Sequence, residues 1–129
     1  MKNQVEIELG EKDMIERGDI FYADLRPVPS AGEGVLRPFL IVESCVGEKS
    51  SQTVIAAEIT SEIPQTLLST QVKISASESG LSNDFVILLE RIRTLDKLRL
   101  KEKIGHLDKQ IMQNVDAGIA ESFGLGREE

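Results

Sequence analysis

Two apolar runs of strand length, joined by a polar loop, constrain the fold more than any other stretch of the chain. The first run reads Gly-Val-Leu-Arg-Pro-Phe-Leu-Ile-Val-Glu at positions 34–43, and the second reads Thr-Val-Ile-Ala-Ala-Glu-Ile-Thr at 53–60. The loop between them, 44–52, is polar and carries Gly47 and Lys49. Runs of this length that are rich in β-branched residues and separated by turn residues predict two β-strands.

Arg37 lies near the start of the first run, and Thr60 closes the second. If the two strands pair antiparallel, the start of one lies beside the end of the other, so both side chains reach the same end of a sheet. Pro38 favours an extended backbone at Arg37. A guanidinium beside a hydroxyl suits phosphate binding, although Arg-Pro at a strand start is equally compatible with a purely structural role.

Further strands and one long helix complete the prediction. We expect strands at 20–25, 38–43, 53–59 and 71–74, an apolar central strand at 85–89, an alternating run at 90–95, a short helix at 96–100 and a short strand at 103–107. Residues 75–84 are predicted as a loop. Asp108 is a suitable N-cap for a helix that ends before Gly124. This order predicts a mostly β fold, either a small barrel or a strongly bent sheet, with a C-terminal helix packed on it.

Length and charge limit the classes of protein. The chain has 129 residues, which predicts one domain, and a formal net charge of −7, which argues against strong non-specific binding to duplex nucleic acid. Cys45 is the only cysteine, which fits a cytoplasmic protein and excludes a cysteine-cluster zinc site. No apolar run approaches the about 20 residues that span a membrane. We expect a flexible acidic leader at 1–16, one domain at 17–125 and a tail at 126–129.

The chain carries none of the common catalytic motifs. It has no glycine-rich phosphate loop, and His106 is the only histidine, which we expect at the junction of a strand and a helix in a structural or exposed position. We therefore expect neither a metal nor a cofactor. RNA carries its own nucleophile, the 2′-hydroxyl, so an enzyme that aligns and stabilises the reacting phosphate needs no metal. Glu58, two residues before Thr60, is either a base in this reaction or a solvated carboxylate.

Four stretches give the chain a recognisable resemblance. These are Arg-Gly-Asp-Ile-Phe-Tyr-Ala-Asp-Leu at 17–25, Gly-Val-Leu-Arg-Pro-Phe-Leu-Ile-Val at 34–42, the run at 53–60, and Val-Ile-Leu-Leu-Glu-Arg-Ile-Arg-Thr-Leu-Asp at 86–96. In this order they resemble the MazF/PemK family of toxin endoribonucleases, or mRNA interferases, closest to its Gram-positive branch. The resemblance implies a small SH3-like barrel of about five to seven strands, a homodimer in the cytoplasm, and a cognate antitoxin.

The resemblance also implies an activity and its residues. It implies metal-independent cleavage of single-stranded RNA at short sequences, leaving a 2′,3′-cyclic phosphate and a 5′-hydroxyl, with Arg37 and Thr60 as the catalytic pair. Glu90 and Arg91 match positions along the RNA path of relatives. We assign substrate binding to these two and to three further residues, namely Glu33, Lys49 and Ser61.

The chain also departs from the family pattern. Ser-Ala-Gly-Glu-Gly precedes Val-Leu-Arg-Pro at 30–34, so Glu33 is a displaced match to the family's loop glutamate, and the acidic leader is an addition. Two further functions therefore stay open beside the ribonuclease: a toxin of the same fold that binds DNA gyrase without catalysis, and an RNA-binding module without cleavage. The sequence leaves the cleaved motif and the general base undefined.

Overall fold

Six strands and two helices follow one another along the chain in this computed structural model, which describes residues 14–26, 35–44, 46 and 51–126. The predicted leader up to 13, the last three tail residues, Glu33, Cys45 and Lys49 lie outside the described residues. In chain order the elements are β1 (Asp19–Asp24), β2 (Leu36–Ile41), β3 (Thr53–Thr60), β4 (Gln71–Ile74), α1 (Ala76–Ser79), β5 (Phe85–Asp96), a 3₁₀ turn (Lys97–Arg99), β6 (Leu100–His106) and α2 (Lys109–Phe123).

The six strands form a single antiparallel sheet. Their order across the sheet is β4-β5-β3-β2-β1-β6, so β4 and β6 are its two edges within the described residues. The predicted mostly β fold with a C-terminal helix is confirmed. The six strands do not close into the barrel that the family resemblance implies, and the described part of the chain is an open sheet.

The pairing of β2 with β3 decides where the two candidate catalytic residues lie. The strands are antiparallel, with Phe39 opposite Glu58 and Ile41 opposite Ala56. Continuing this register by two residues in each strand places Arg37 opposite Thr60. The antiparallel arrangement predicted from the two apolar runs is therefore confirmed.

Strand β5 is one long element, whereas the sequence suggested two shorter pieces at 85–89 and 90–95. It pairs with β3 in two registers: Glu58 lies opposite Leu88, whereas Ala57 lies opposite Ile92. Three residues of β5, 89–91, therefore have no partner on β3. The apolar and the alternating halves belong to the same strand because a bulge, not a turn, separates them.

The sheet carries a core on each face, because successive side chains of a strand point to opposite sides. On one face Ile20, Leu40 and Leu89 pack with Met112 and Val115 of α2. The second core lies on the other face, and its buried members include Ile15, which falls within the segment predicted as a leader. The members of the second core are Ile15, Phe21, Ala23, Phe39, Ile41, Val46, Val54, Ala56, Leu95 and Leu100.

Helix α2 begins and ends at the residues that the sequence predicts. The Asp108 carboxylate accepts a hydrogen bond of 2.9 Å from the Ile111 amide, and Gly124 ends the helix in the left-handed conformation at φ +70°. Among the described helices, none is long and apolar enough to cross a bilayer.

Gly118 sets how closely α2 approaches the sheet. A Cβ atom at this position would lie 2.3 Å from Cδ1 of Leu89 and 3.4 Å from Cγ2 of Val72. Leu89 is fully buried, so its side chain has no open space into which it can move. The helix and the sheet are therefore packed at a distance that only a glycine permits.

We predict that Gly118→Ala destabilises the protein. Alanine gains up to about 1 kcal/mol of helix propensity over glycine, whereas an extra methyl group in a filled core costs about 1–3 kcal/mol. The cost of overpacking therefore exceeds the gain in helix propensity. Urea unfolding should show a net loss of about 1–2 kcal/mol. Asn114→Ala, on the exposed face of the same helix, is the control and should not lower stability. A Gly118→Ala protein as stable as the wild type would contradict this packing.

The short helix α1 lies where the sequence suggested only a loop, so that prediction is wrong. Ser75 accepts a hydrogen bond from the Glu78 amide, and the Glu78 side chain accepts one from the Ser75 amide, which is a complete capping box. Gly80, at φ +81°, ends the helix after one turn. These local bonds give 75–80 a defined conformation although it buries no residue.

A partly buried ion pair, between the buried Asp24 and the partly exposed Arg26, lies at the end of β1. Arg26 donates to both carboxylate oxygens of Asp24, and Arg99 donates a 3.0 Å hydrogen bond to the Asp24 carbonyl. A second bond runs from Arg99 to the Arg26 carbonyl. The hydrogen bonds from Arg26 lower the pKa of Asp24 from 3.8 to about 2. Asp24 is the residue of β1 opposite Leu36, so this pair fixes the strand end next to Arg37.

This pair predicts a pH dependence of folding. Because the pKa of Asp24 is lower in the folded than in the unfolded protein, the unfolded state binds more protons in acid. Asp24 therefore stabilises the fold above its ordinary pKa of 3.8, and that contribution is lost as the pH falls towards about 2. We expect Asp24→Asn to be less stable than the wild type at pH 7 and to lose less stability between pH 4 and pH 2. Denaturant unfolding at several pH values measures both, and parallel pH profiles for the two proteins would contradict the assignment.

Candidate active site

Arg37 and Thr60 line one cavity at the end of the central strands. The cavity has a volume of about 780 Å³. Arg37 is exposed in β2, and Thr60 is partly exposed at the end of β3. The predicted meeting of a cation and a hydroxyl at one end of the sheet is therefore present. The polar members of the lining are Arg37, Thr60, Ser61, Glu62, Ser82, Asn83 and Asp84.

The Thr60 hydroxyl has a fixed position. Its oxygen accepts a 3.1 Å hydrogen bond from the Glu62 amide, two residues along the chain. A hydroxyl can accept and donate at the same time. Because the oxygen is held as an acceptor, the hydroxyl proton remains for a bond to a ligand in the cavity. This turn also brings Ser61 into the lining.

Arg37 is the only cation among the described residues that line the cavity, and two carboxylates, Glu62 and Asp84, lie elsewhere in the lining. No ion pair joins Arg37 to any of the described residues. The charge of Arg37 is therefore available to an anion. The apolar part of the cavity is formed by Ile20, Tyr22, Pro38, Ile59, Leu81, Phe85 and Ile104.

Glu90 and Arg91 lie outside this cavity, in the bulge of β5. Thr70 donates a 3.0 Å hydrogen bond and Gln71 a 2.8 Å hydrogen bond to the two oxygens of Glu90. Arg91 lies 3.6 Å from Glu58, two residues before Thr60 on β3. Glu58 itself does not line the cavity. The bulge thus carries an acidic and a basic residue on a surface adjacent to the cavity but separate from it.

Burial of Glu90 raises its pKa. The hydrogen bonds from Gln71, from its own backbone and from Thr70, together with the charge of Arg91, lower the pKa by more than burial raises it. The net effect holds the pKa of Glu90 below its ordinary value of 4.5. The carboxylate therefore stays ionised into mild acid. As an ionised acceptor with two donors already bound, it is suited to orienting neighbours rather than to releasing a proton.

A single substitution tests this account of Glu90. Gln71→Ala removes the strongest of the hydrogen bonds that stabilise the ionised carboxylate, so we expect the pKa of Glu90 to rise. A ¹³C carboxyl titration followed by NMR measures the shift. Gln65→Ala, at an exposed position that does not contact Glu90, is the control and should leave the titration unchanged. An unchanged Glu90 titration in Gln71→Ala would contradict the proposed cause.

One group of described residues resembles a metal site. Ligand atoms of Glu16, Asp19 and His106 lie within 4.8 Å of one another. However, the fully buried Asp19 carboxylate accepts a 2.6 Å hydrogen bond from His106 and lies 3.2 Å from the Lys103 ammonium. Lys103 already supplies a positive charge at this carboxylate. The group is an ion-pair network that joins β1 to β6, and His106 holds the structural position at the strand–helix junction that its sequence position predicts.

The 81–84 loop contributes to the cavity, a role that its sequence pattern did not predict. Its residues follow the unpredicted helix α1, and three of them, Ser82, Asn83 and Asp84, are polar and exposed. The sequence contained one signal for this arrangement. Ser75 followed by Glu78 is the capping-box pattern, which marks the start of the one-turn helix that precedes this loop.

These features define a small antiparallel-sheet protein with a C-terminal helix on one face and an arginine and a threonine at the end of its central strands. The chain belongs to the PemK-like, MazF-like toxin family of type II toxin–antitoxin systems, whose sequence model matches residues 16–123. Endoribonuclease EndoA of Bacillus subtilis (strain 168) is 44% identical to it over 112 residues, which are 87% of this chain and 97% of the relative.

Solved structures of the family share the fold. An endoribonuclease in complex with its cognate antitoxin from mycobacterial species superposes with a TM-score of 0.69 at 24% identity, covering 88% of this chain and 99% of that chain. A MazE–MazF structure (Form-III) from Deinococcus radiodurans gives a TM-score of 0.68 at 21% identity, covering 87% of this chain and 98% of that chain. At these identities the two structures support the fold alone.

Proposed function

We propose that the chain is the ribonuclease toxin of its type II system: a sequence-specific, metal-independent endoribonuclease that cleaves single-stranded RNA, with Arg37 and Thr60 as its catalytic residues. The observation that carries the proposal is the cavity that both residues line. Support comes from the 44% identical relative, which is named an endoribonuclease. The chain retains the unpaired cation and the oriented hydroxyl that such a reaction requires.

The reaction follows from the chemistry of RNA. The 2′-hydroxyl oxygen attacks the adjacent phosphorus and loses its proton to a base, while the bond from phosphorus to the 5′ oxygen breaks. The 5′ oxygen takes up a proton, which leaves a 2′,3′-cyclic phosphate and a 5′-hydroxyl. Negative charge accumulates on the non-bridging phosphate oxygens during this step. Groups already positioned at those oxygens lower the barrier because they need no reorganisation.

Arg37 and Thr60 have different parts in that stabilisation. The Arg37 guanidinium binds the phosphate through two parallel N–H donors and neutralises the developing charge. The Thr60 hydroxyl donates a hydrogen bond to a phosphate oxygen, while the Glu62 amide holds the Thr60 hydroxyl oxygen in place. Ser61, in the same lining, adds a second hydroxyl. The pair therefore acts on the same phosphate from two neighbouring strands.

The remaining substrate-binding residues extend this proposal along the RNA. Glu90 and Arg91 lie on the adjacent surface of the β5 bulge, next to Glu58. A single strand that leaves the cavity over this surface meets both of them. Glu33 and Lys49, outside the described residues, are proposed from the sequence to contact the RNA as well.

Partners and organisation follow the family. We propose that residues 17–125 form one toxin domain, in agreement with the family match at 16–123, that the toxin acts in the cytoplasm as a homodimer, and that a cognate antitoxin binds it. Solved relatives are described as complexes with an antitoxin. Co-expression with a candidate antitoxin is the direct way to obtain such a complex.

Cleavage of a long mixed-sequence single-stranded RNA in EDTA tests the catalytic assignment. Primer extension should show discrete 5′ ends at one repeated short sequence for the wild type. Arg37→Ala and Thr60→Ala each remove a donor from the transition state, so we expect losses of about 10²–10³-fold in kcat. Thr60→Ser keeps the hydroxyl and should keep most of the activity.

Matched controls lie on the same sheet. Arg93→Ala and Thr94→Ala remove the same side-chain types from exposed positions of β5 outside the cavity, and both should cut like the wild type. Folded Arg37→Ala and Thr60→Ala proteins with wild-type rates would contradict the assignment. If the RNA binds with a clear salt dependence but stays intact, the protein is an RNA-binding module and not a ribonuclease. If the protein instead inhibits supercoiling by gyrase, it is the gyrase-binding toxin.

A further inference from the structure

The cavity that contains Arg37 and Thr60 is larger than a phosphate requires. Its volume of about 780 Å³ is within the range of pockets that enclose whole small molecules. Beyond the cation, the lining combines six polar residues with seven apolar ones, and the apolar ones include the aromatic side chains of Tyr22 and Phe85. RNA-binding proteins read single strands by taking unstacked bases into such sites and stacking them against aromatic side chains. A phosphate held at Arg37 therefore leaves room for one neighbouring nucleoside.

The 81–84 loop forms a wall of this cavity, and it is held in place by local bonds. Asp84 accepts a 2.8 Å hydrogen bond from the Ala76 amide, and the Leu81 amide donates a 3.0 Å bond to the Ser79 hydroxyl. Leu81 packs against the core beneath, and its side chain lies 3.4 Å from the position that a Cβ atom at Gly105 would take. The conformation of this loop is therefore fixed by contacts within the protein and does not depend on a ligand.

Two side chains on this wall have free hydrogen-bonding groups. Ser82 and Asn83 line the cavity and are exposed. Neither side chain makes a hydrogen bond to any other residue that the structure describes. An asparagine amide offers two donors and a carbonyl acceptor in one plane, which matches the edge of a nucleobase. Asn83 thus has the geometry to read a base and no structural bond to break in doing so.

Charge selects the kind of base. Glu62 and Asp84 place two carboxylates in the same lining, whereas Arg37 is the only cation that the described part of the chain contributes to it. A second phosphate would be repelled from the carboxylate side of the cavity. A base that presents an exocyclic amino group, as adenine, cytosine and guanine do, can donate to these carboxylates and to the Asn83 carbonyl. Uracil has carbonyl oxygens in place of an amino group and donates only from N3, so the two carboxylates disfavour it.

We infer that Asn83, assisted by Ser82, reads the nucleobase next to the scissile phosphate, and that this base carries an exocyclic amino group. Tyr22 supplies an aromatic surface beside it. The inference rests on the proposed function, because it needs a phosphate bound at Arg37. It adds a specificity-determining residue to the reaction and names the class of base that the cavity accepts.

The test compares cleavage rates on matched RNAs. Wild-type cleavage of a randomised single-stranded RNA gives the recognised sequence, in which we expect adenine, cytosine or guanine at one position beside the cut. Asn83→Ala should lower kcat/KM on that RNA by about tenfold and should lower it much less on an RNA with uracil at the same position, so that the preference between the two RNAs shrinks. Asn83→Asp keeps the acceptor oxygen and should keep the preference.

The two RNAs separate a reading role from a structural one, because a misfolded loop would slow both. Asn114→Ala on α2 is the matched asparagine control and should cut both RNAs like the wild type. Ser82→Ala, expected to weaken the same preference, is a second variant. The inference is overturned if Asn83→Ala and Ser82→Ala keep the wild-type sequence preference, or if uracil is preferred on both sides of the cut. A wild type that cuts no RNA would instead contradict the proposed function itself.

Discussion

The hydrogen-bonded pairing of β3 with both of its neighbours is the constraint on which the rest of the molecule depends. β3 lies between β2 and β5, and its own residues alternate between the two cores. Because a shift of one residue would turn every side chain to the opposite face, burial of both faces fixes the register. That register places Thr60 beside the start of β2, so the position of the proposed catalytic pair follows from the packing of the two cores.

The bulge in β5 is the second consequence of this pairing. Three residues without partners on β3 allow the two ends of β5 to keep different registers along the same neighbour. Glu90 and Arg91 are carried outward at that point, where Thr70, Gln71 and Glu58 bind them. In a regular strand both residues would instead have been paired with β3 through their backbones. The irregularity therefore converts part of a structural strand into a polar surface beside the cavity.

Much of this arrangement could be predicted from the sequence because it depends on local patterns. The apolar runs around Arg37 and Thr60 indicated two strands, and Asp108 and Gly124 marked the ends of the long helix. The continuity of β5 could not be predicted, since its change from an apolar to an alternating pattern at Glu90 looks the same for a bulge as for a turn. The part of Asn83 in the cavity could not be predicted either, because it depends on long-range packing of Leu81 over Gly105.

The cavity is lined partly by paired central strands and partly by an unpaired loop, and this difference affects how such proteins can diversify. Arg37 and Thr60 stand on central strands whose neighbours are buried, so changes around them disturb the folding of the whole sheet. Ser82 and Asn83 stand on a short exposed segment that no strand pairs with and whose shape comes from its own caps. Substitutions there cost little folding free energy. With the roles that we propose for Asn83 and for the Arg37–Thr60 pair, a lineage with this architecture can therefore change the RNA sequences that it cuts while the chemistry of cleavage stays intact.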